Sequence, residues 1–218
     1  NAGSLEKKLR QEKGINPASM VESALSQVRE IESYGFNRLV ISAKASSVMS
    51  TIEVNRILAK VVDYPLHLGL TEAGLPPEGS IKSAVAIGTL LAEGIGDTIR
   101  VSLTGNPVRE VEVGLQILRS LGLRQPGLEI IACPTCARTA GDVEDIAIKL
   151  REALKDKCDR PLKIAVMGCE VNGPGEAREA DVGVAFDKKG GGLVFRKGEK
   201  VGKCKDVLKG LLKEIEEL

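Results

Sequence analysis

Helix-starting segments and short β-rich segments alternate along the first 125 residues, and this alternation restricts the possible folds more than any other feature. Asn16-Pro17 and Asn106-Pro107 each combine an N-cap residue with a proline at the first helical position. Strands that are separated by helices of this length pair in parallel, because only a crossover connection can join parallel strands. The pattern therefore predicts consecutive parallel βα units.

The predicted elements make up about half of a familiar architecture. A first helix is expected to open after a Ser4 cap. Further helices are expected over 17–34, 47–62, 80–93 (capped by Ser80) and 107–121, and strands over 38–44, 65–71 and 98–104. An eight-stranded TIM barrel needs about 250 residues. Half a barrel would leave strand edges open. We therefore expect either a missing first half, which we favour, or a smaller open α/β sheet.

The segment Gln125-Pro126-Gly127 predicts a domain boundary, with residues 1–126 as the half barrel and residues 127–218 as a small α/β domain. In the second domain the apolar segments predict four strands and two helices: strands over 128–132, 162–167, 181–186 and 193–196, and helices over 142–155 and 207–215. Lys188 to Gly192 lie between the last two strands and predict a hairpin turn.

The composition argues against nucleic-acid and membrane partners. The formal net charge is only +1, and aromatic residues make up 2% of the chain, which leaves few side chains for base stacking. No apolar segment approaches the roughly 20 residues of a membrane span, and the first residues do not resemble a signal peptide. We expect a cytoplasmic protein.

Cysteines give the strongest functional signal. Cys133 and Cys136 form a Cys-x-x-Cys motif, and Cys169 and Glu176 border a turn-rich loop after a later apolar segment. Three thiols and a carboxylate could bind zinc or an iron–sulfur cluster. A thioredoxin-like redox pair fits less well, because Arg138 and the residues after it separate the motif from the next helix. The residues alone leave zinc and a cluster both open.

Two sequence segments resemble a known family. Cys-Pro-Thr-Cys-Ala-Arg at 133–138 and Gly-Cys-Glu-Val-Asn-Gly-Pro-Gly-Glu-Ala at 168–177 are similar to segments of the 4-hydroxy-3-methylbut-2-enyl diphosphate synthases, also called the GcpE family. The resemblance extends over most of the chain through further segments at 1–7, 67–74 and 93–103. That family has a TIM barrel followed by an iron–sulfur domain. The resemblance therefore implies the C-terminal half of a (β/α)8 barrel followed by a cluster domain.

The resemblance also implies a cofactor and a reaction. Cys133, Cys136, Cys169 and Glu176 would bind one 4Fe–4S cluster, in which the carboxylate ligand leaves one iron exchangeable. The family opens the ring of 2-C-methyl-D-erythritol 2,4-cyclodiphosphate by reduction, in the non-mevalonate route to isoprenoids. Ferredoxin or flavodoxin would supply the electrons. The resemblance further implies a homodimer in which the cluster domain of one subunit covers the barrel of the other.

Candidate substrate residues lie where the predicted barrel strands end. Lys44, Arg100 and Ser102 alternate with apolar residues, so they share the polar strand faces and could bind phosphate. The resemblance favours Lys44 and Ser102 and adds Asn1. Glu72 follows the second strand and is a candidate acid or hydrogen-bond partner.

The remaining candidates are expected to have other roles. His67, the single histidine, is expected to be an interior residue, Arg138 is expected either to face the cluster or to lie on the surface, and Cys158 and Cys204 are not expected to be ligands. Several arginines that hold the diphosphate in the family precede this sequence, so the chain alone should not turn over. Two alternative functions are a zinc-stabilised binding domain and an iron–sulfur electron carrier without catalytic activity.

Overall fold

The computed structural model describes residues 1–155, 161–171 and 173–218 and divides the chain into two compact units, Asn1–Arg124 and Gln125–Leu218. Both units mix helices with parallel strands, as the sequence predicted for an α/β protein. We refer to them as unit 1 and unit 2. Each has its own apolar core.

Unit 1 consists of helices that follow short strands in sequence. A 3-10 turn at Ala2–Ser4 precedes the regular elements, which are α1 (Lys7–Lys13), α2 (Pro17–Ser33), α3 (Val48–Val61), β1 (His67–Gly69), α4 (Glu78–Ala92), β2 (Thr98–Arg100) and α5 (Pro107–Ser120). Asn16 and Asn106 cap α2 and α5 as predicted. The predicted caps at Ser4 and Ser80 are wrong. Helix α1 begins after Glu6, and α4 begins already at Glu78, because the Pro76-Pro77 segment ends the preceding loop there.

The extended segments of unit 1 lie side by side in parallel. The Ala2 N–H donates to the Lys44 carbonyl over 2.9 Å, and Ile41 forms a parallel bridge with Leu66. Strand β1 pairs with β2 in the register His67 with Thr98. The predicted strands were longer than the observed ones. The segment 38–44 forms only the isolated bridge at Ile41. A regular strand requires a continuous ladder of hydrogen bonds, and this segment does not form one.

Alternation along β1 separates two faces of this sheet. Leu66, Leu68 and Leu70 are at most 4% exposed and contribute to the apolar clusters of unit 1. His67 and Gly69 lie on the opposite face. That face therefore carries the polar side chain of His67 and, at Gly69, a buried position without a side chain, which allows another side chain to approach the backbone.

Unit 2 is built around a five-stranded sheet in the order β3-β4-β5-β6-β7. Its strands and helices are β3 (Leu128–Ala132), α6 (Val143–Leu154), β4 (Leu162–Met167), α7 (Gly173–Ala177), β5 (Val182–Phe186), β6 (Gly192–Arg196), β7 (Glu199–Cys204) and α8 (Val207–Glu216). Strands β3, β4 and β5 are parallel, while β6 and β7 continue the sheet antiparallel. The sequence predictions missed β7, whose alternation of Lys, Gly and Val is only weakly apolar.

The two faces of the unit 2 sheet are covered by different helices. Helices α6 and α8 pack on one face, where Ile164 and Val184 contribute to the larger apolar cluster. The short helix α7 packs on β4 and β5 at the other face, beside Met167 and Ala185. The sequence predicted a loop where α7 forms. This helix fits closely, since a Cβ at Gly173 would lie 2.6 Å from the Ala185 Cβ.

Candidate functional site

Lys44 lies at the end of an extended segment of unit 1 and is only 2% exposed. Its side chain crosses the face of β1 at Gly69, where an added Cβ would lie 3.4 Å from Nζ and 2.6 Å from the Arg100 carbonyl oxygen. Burial, with a smaller contribution from the positive charge of Arg100, lowers the pKa of Lys44 to about 8. No described carboxylate forms an ion pair with it. Lys44 is therefore a buried cationic group that an anion could stabilise.

Two buried polar side chains of α3 fix the backbone on both sides of Lys44. The Thr51 hydroxyl accepts a hydrogen bond from the Ala45 N–H and donates to the Ala45 carbonyl, both over 3.1 Å. The Asn55 amide donates to the Ala43 carbonyl over 3.0 Å. Both side chains are fully buried. Hydrogen bonds from a separate helix therefore fix the backbone that carries Lys44, and the sequence of residues 38–44 does not predict these bonds.

His67 and Arg100 lie on the same face as Lys44, and we call Lys44 and Arg100 the cation face. His67 Nδ1 lies 2.7 Å from the Thr98 hydroxyl, and Arg100 Nε donates to the Ser102 hydroxyl over 3.1 Å. Burial, then the charges of Lys44 and Arg100, lower the pKa of His67. His67 is partly buried, as expected of an interior residue. The arrangement suits recognition of a phosphate group.

Glu72 and Asn1 lie close in sequence to backbone contacts with the Lys44 segment. The Thr71 N–H donates to the Ala45 carbonyl over 3.1 Å, which places Glu72 one residue beyond that segment. Glu72 is exposed and adopts a φ of 54°, a left-handed conformation that non-glycine residues rarely occupy. Asn1 is exposed and precedes Ala2, whose N–H bonds Lys44. The structure therefore groups Asn1, Glu72 and Lys44 at neighbouring segment ends.

In unit 2, the first cysteine loop is joined to the loop that follows β4. The Gly168 N–H donates to the Cys133 Sγ over 3.0 Å, and the Ala140 N–H donates to the Gly168 carbonyl over 2.7 Å. Because β3 and β4 are adjacent and parallel, both loops leave the same edge of the sheet. A Cβ at Gly168 would lie 2.9 Å from the Thr139 Cγ2, so glycine permits this approach.

Cys136 lies on the exposed part of the first loop. A hydrogen bond from the Arg138 backbone lowers the pKa of Cys136, and the Thr139 hydroxyl and the Arg138 charge act in the same direction. The Cys136 N–H in turn donates to the Thr139 hydroxyl over 2.9 Å. The loop thus favours a thiolate at this position. Arg138 is exposed.

Cys169 and Glu176 complete the predicted ligand set from the second loop. Cys169 follows β4 directly after Gly168 and is partly buried, while Glu176 is exposed on α7. Asn172 lies outside the described residues. Within those residues, no three His, Cys, Asp or Glu side chains are grouped closely enough to hold a metal ion. The predicted ligands therefore come from neighbouring loops, but the structure does not bring their four side chains together.

The chemistry of these donors nevertheless fits a thiolate-bound group. Sulfur ligands suit zinc and iron–sulfur clusters, and a backbone N–H directed at Cys133 is the type of contact that stabilises a cluster sulfur.

Cys204 has a different environment. It ends β7, accommodates the close approach of Gly210, and has a pKa raised by burial. Cys158 lies outside the described residues.

Sequence reasoning missed the residues that position the site. Thr51 and Asn55 are polar residues four apart on the otherwise apolar face of α3, and that pattern could have indicated a role in the interior. Gly69 left a weaker signal, as a glycine inside a predicted strand.

Among the described residues, no helix combines the length and the apolar character needed to span a bilayer.

Comparison with family models gives two matches. Residues 1–115 match the GcpE TIM-barrel domain, and residues 129–217 match the GcpE protein C-terminal domain. Together these matches include both cysteine loops and the cation face.

Three curated proteins similar to this chain are each named 4-hydroxy-3-methylbut-2-en-1-yl diphosphate synthase (flavodoxin). The protein from Caldanaerobacter subterraneus subsp. tengcongensis is 56% identical over 221 residues, which is 100% of this chain. The Clostridium perfringens protein is 54% identical over 99% of the chain, and the Geobacter sulfurreducens protein is 52% identical over 100%. The chain spans 62% of the length of each of these relatives.

Proposed function

This chain belongs to the GcpE family, and on that premise we propose that the protein opens the ring of 2-C-methyl-D-erythritol 2,4-cyclodiphosphate by reduction to give 4-hydroxy-3-methylbut-2-enyl diphosphate. The observation that carries the proposal is the 56% identity, over the whole chain, to a protein named as that synthase. The reaction consumes two electrons and two protons, breaks the ring C–O bond and releases water.

We assign residues 1–126 to the second half of a TIM barrel that binds the substrate. Lys44, Arg100 and Ser102 would bind a phosphate group, which would offset the cost of the buried Lys44 ammonium. Glu72 would hydrogen bond to a hydroxyl group of the substrate or donate a proton, and its left-handed backbone supports a functional rather than a structural role. The side chain of Asn1 would add a further contact with the substrate, because Asn1 precedes Ala2, whose N–H bonds the Lys44 carbonyl.

We assign residues 127–218 to a domain that holds one 4Fe–4S cluster. Cys133, Cys136 and Cys169 would be its thiolate ligands and Glu176 its carboxylate ligand. When bound, the cluster supplies electrons and a Lewis-acidic iron. The Gly168 N–H would stabilise the Cys133 sulfur, and the low pKa of Cys136 would favour its metal-binding form. The exposed position of Glu176 leaves it able to exchange with a substrate oxygen.

We propose flavodoxin, or a ferredoxin, as the electron donor, a homodimer as the working form and the cytoplasm as its location. The names of the relatives include flavodoxin, which supports flavodoxin as the electron donor.

The deciding experiment measures iron, zinc and acid-labile sulfide per chain after anaerobic reconstitution. About four iron and four sulfide, with a visible spectrum that changes when the cyclic diphosphate is added to the full-length protein, would support the proposal. Glu176→Ala should keep the three thiolates and bind the cluster, but lose the substrate-dependent change. Stoichiometric zinc without sulfide would leave a structural metal domain instead, and a cluster that is insensitive to substrate would indicate an electron carrier.

A further inference from the structure

Four lysines lie on one rim of the unit 2 sheet. Lys188 and Lys189 form the turn between β5 and β6, and Lys203 and Lys205 lie at the end of β7. All four are exposed, and we call them the basic rim. None of the ion pairs formed by the described residues involves them. Their charges are therefore available to a partner.

Strand directions place the basic rim on the same edge of the sheet as the cysteine loops. Strands β3, β4 and β5 are parallel, so their ends share one edge. Strand β6 begins at that edge, and β7, which is antiparallel to β6, ends there. The β5–β6 turn therefore lies one to two strand spacings, about 5 to 10 Å, from the strand that leads to Cys169.

Hydrogen bonds to Asp187 fix the backbone of the β5–β6 turn that carries Lys188 and Lys189. The Asp187 carboxylate accepts hydrogen bonds from the Lys189 N–H over 2.8 Å and the Gly191 N–H over 3.1 Å. These two bonds, followed by the nearby charges of Lys203 and Lys189, lower the pKa of Asp187. Asp187 is 9% exposed, whereas the four lysines of the basic rim are exposed. A rigid turn loses less entropy on binding than a mobile one.

An apolar contact is also available at this edge. Val171 lies two residues after Cys169 and is 66% exposed, so its aliphatic side chain is available for a contact. Encounters between redox proteins use small interfaces and long-range electrostatic attraction, with charges around a limited apolar contact. The combination of Val171 and the basic rim has this character.

Lysines on edge strands also prevent aggregation, and that function alone would explain some of this charge. It would not explain the turn, because Lys188 and Lys189 lie outside the strand ladder. The opposite edge offers a direct comparison. Lys197 lies in the β6–β7 turn and Lys200 near the start of β7; both are exposed and are distant in the sheet from the cysteine loops. A role in solubility would not distinguish the two edges.

We propose that the basic rim, with Val171, is the docking surface for an acidic one-electron carrier protein that reduces the group held by the cysteine loops. The inference rests on the proposed function and adds the location of the partner. Positive charge on the edge that holds the cysteines would attract an acidic carrier and hold it close to the electron acceptor.

The test compares two double variants of the full-length protein, Lys188→Glu/Lys189→Glu at the basic rim and Lys197→Glu/Lys200→Glu at the opposite edge. Binding of purified flavodoxin is titrated at low and at physiological ionic strength. The rim variant should raise the Kd by at least about tenfold at low salt and should lose most of the salt dependence. The control variant should bind nearly as the parent does. Equal effects of the two variants, or binding that is independent of salt, would overturn the proposal.

A second measurement separates this proposal from the proposed function. Turnover is measured with flavodoxin and with a small dye reductant that needs no protein interface. The rim variant should keep the dye-driven rate and lose the flavodoxin-driven rate. An intact flavodoxin-driven rate in the rim variant would reject the docking surface while leaving the reaction established. A parent protein that is inactive with both donors would reject the proposed function, while the binding titration would still decide the docking surface.

Discussion

Units 1 and 2 position their candidate residues in opposite ways. In unit 1, Thr51 and Asn55 are buried side chains of a separate helix, and they fix the backbone around a lysine that is 2% exposed. In unit 2, backbone N–H groups and the exposed Thr139 loop hold Cys133 and Cys136 near the surface. A site prepared for a charged substrate can be rigid before binding, whereas thiol ligands can be drawn together by the group they bind.

The largest contrast between the units should follow from removing a thiol. Cys169→Ala should lower the affinity of unit 2 for the reconstituted cluster by more than about 100-fold, because changes to groups that only support metal ligands already cost about 10- to 100-fold. The measurement is iron and sulfide per chain after desalting. Cys204→Ala is the matched control and should retain the metal, since Cys204 packs at the end of β7. Equal iron in both variants would contradict the ligand assignment.

The next effect is the pH dependence of stability that arises from Lys44. Its pKa is about 8 in the folded chain, against 10.5 for an ordinary lysine, so unfolding takes up a proton between these pH values. The free energy of unfolding therefore rises with pH from about 8 to about 10.5, by at most about 3 kcal/mol. Lys44→Met should be more stable than the parent below pH 8, and this advantage should shrink toward pH 10.5. Denaturant titrations across this range would show parallel profiles if Lys44 is not the cause.

A smaller difference is expected between the stability that Asn55 contributes next to Lys44 and the stability that Thr139 contributes next to Cys136. Asn55→Ala would leave the buried Ala43 and Thr51 carbonyls without this donor and should cost about 2 to 3 kcal/mol of unfolding free energy. Thr139→Ala in unit 2 should cost about 1 kcal/mol or less, because water can replace its contact with Cys136. Denaturant unfolding of each variant measures both values. Similar losses of unfolding free energy in the two variants would show that the units do not differ in how firmly these contacts fix the backbone.

The smallest expected effects concern backbone strain. Glu72 in unit 1 and Lys197 in unit 2 are the non-glycine residues with positive φ in the described part of the chain, at 54° and 48°. Glycine at either position should raise the free energy of unfolding by about 0.5 to 1 kcal/mol. Only Glu72→Gly should also lower turnover of the full-length protein. A comparable loss of turnover in Lys197→Gly would argue against a specific role for Glu72.

Local sequence signals predicted the parts of the fold that local physics controls. Strands β3 and β4 were predicted with the observed bounds, and Asn16, Asn106 and Asp142 cap their helices as expected. Strand β7 was missed because its polar sequence is stabilised by pairing with β6, which local periodicity does not report. The extended segment 38–44 was overpredicted for a related reason, since a β-rich sequence forms a ladder only where neighbours supply hydrogen bonds.

By itself, the sequence predicted which donor groups are available for chemistry and the α/β class of the fold. Thiols, a carboxylate and basic residues are visible as residue types at fixed spacings, and alternating periodicity requires parallel βα units. Only the tertiary structure decided that Gly69 makes room for Lys44, that Asn55 and Thr51 fix its backbone, and that Gly168 bonds the Cys133 sulfur. These contacts join residues that are 6 to 35 positions apart. Burial and close approach depend on how distant segments pack, and no local pattern reports that packing.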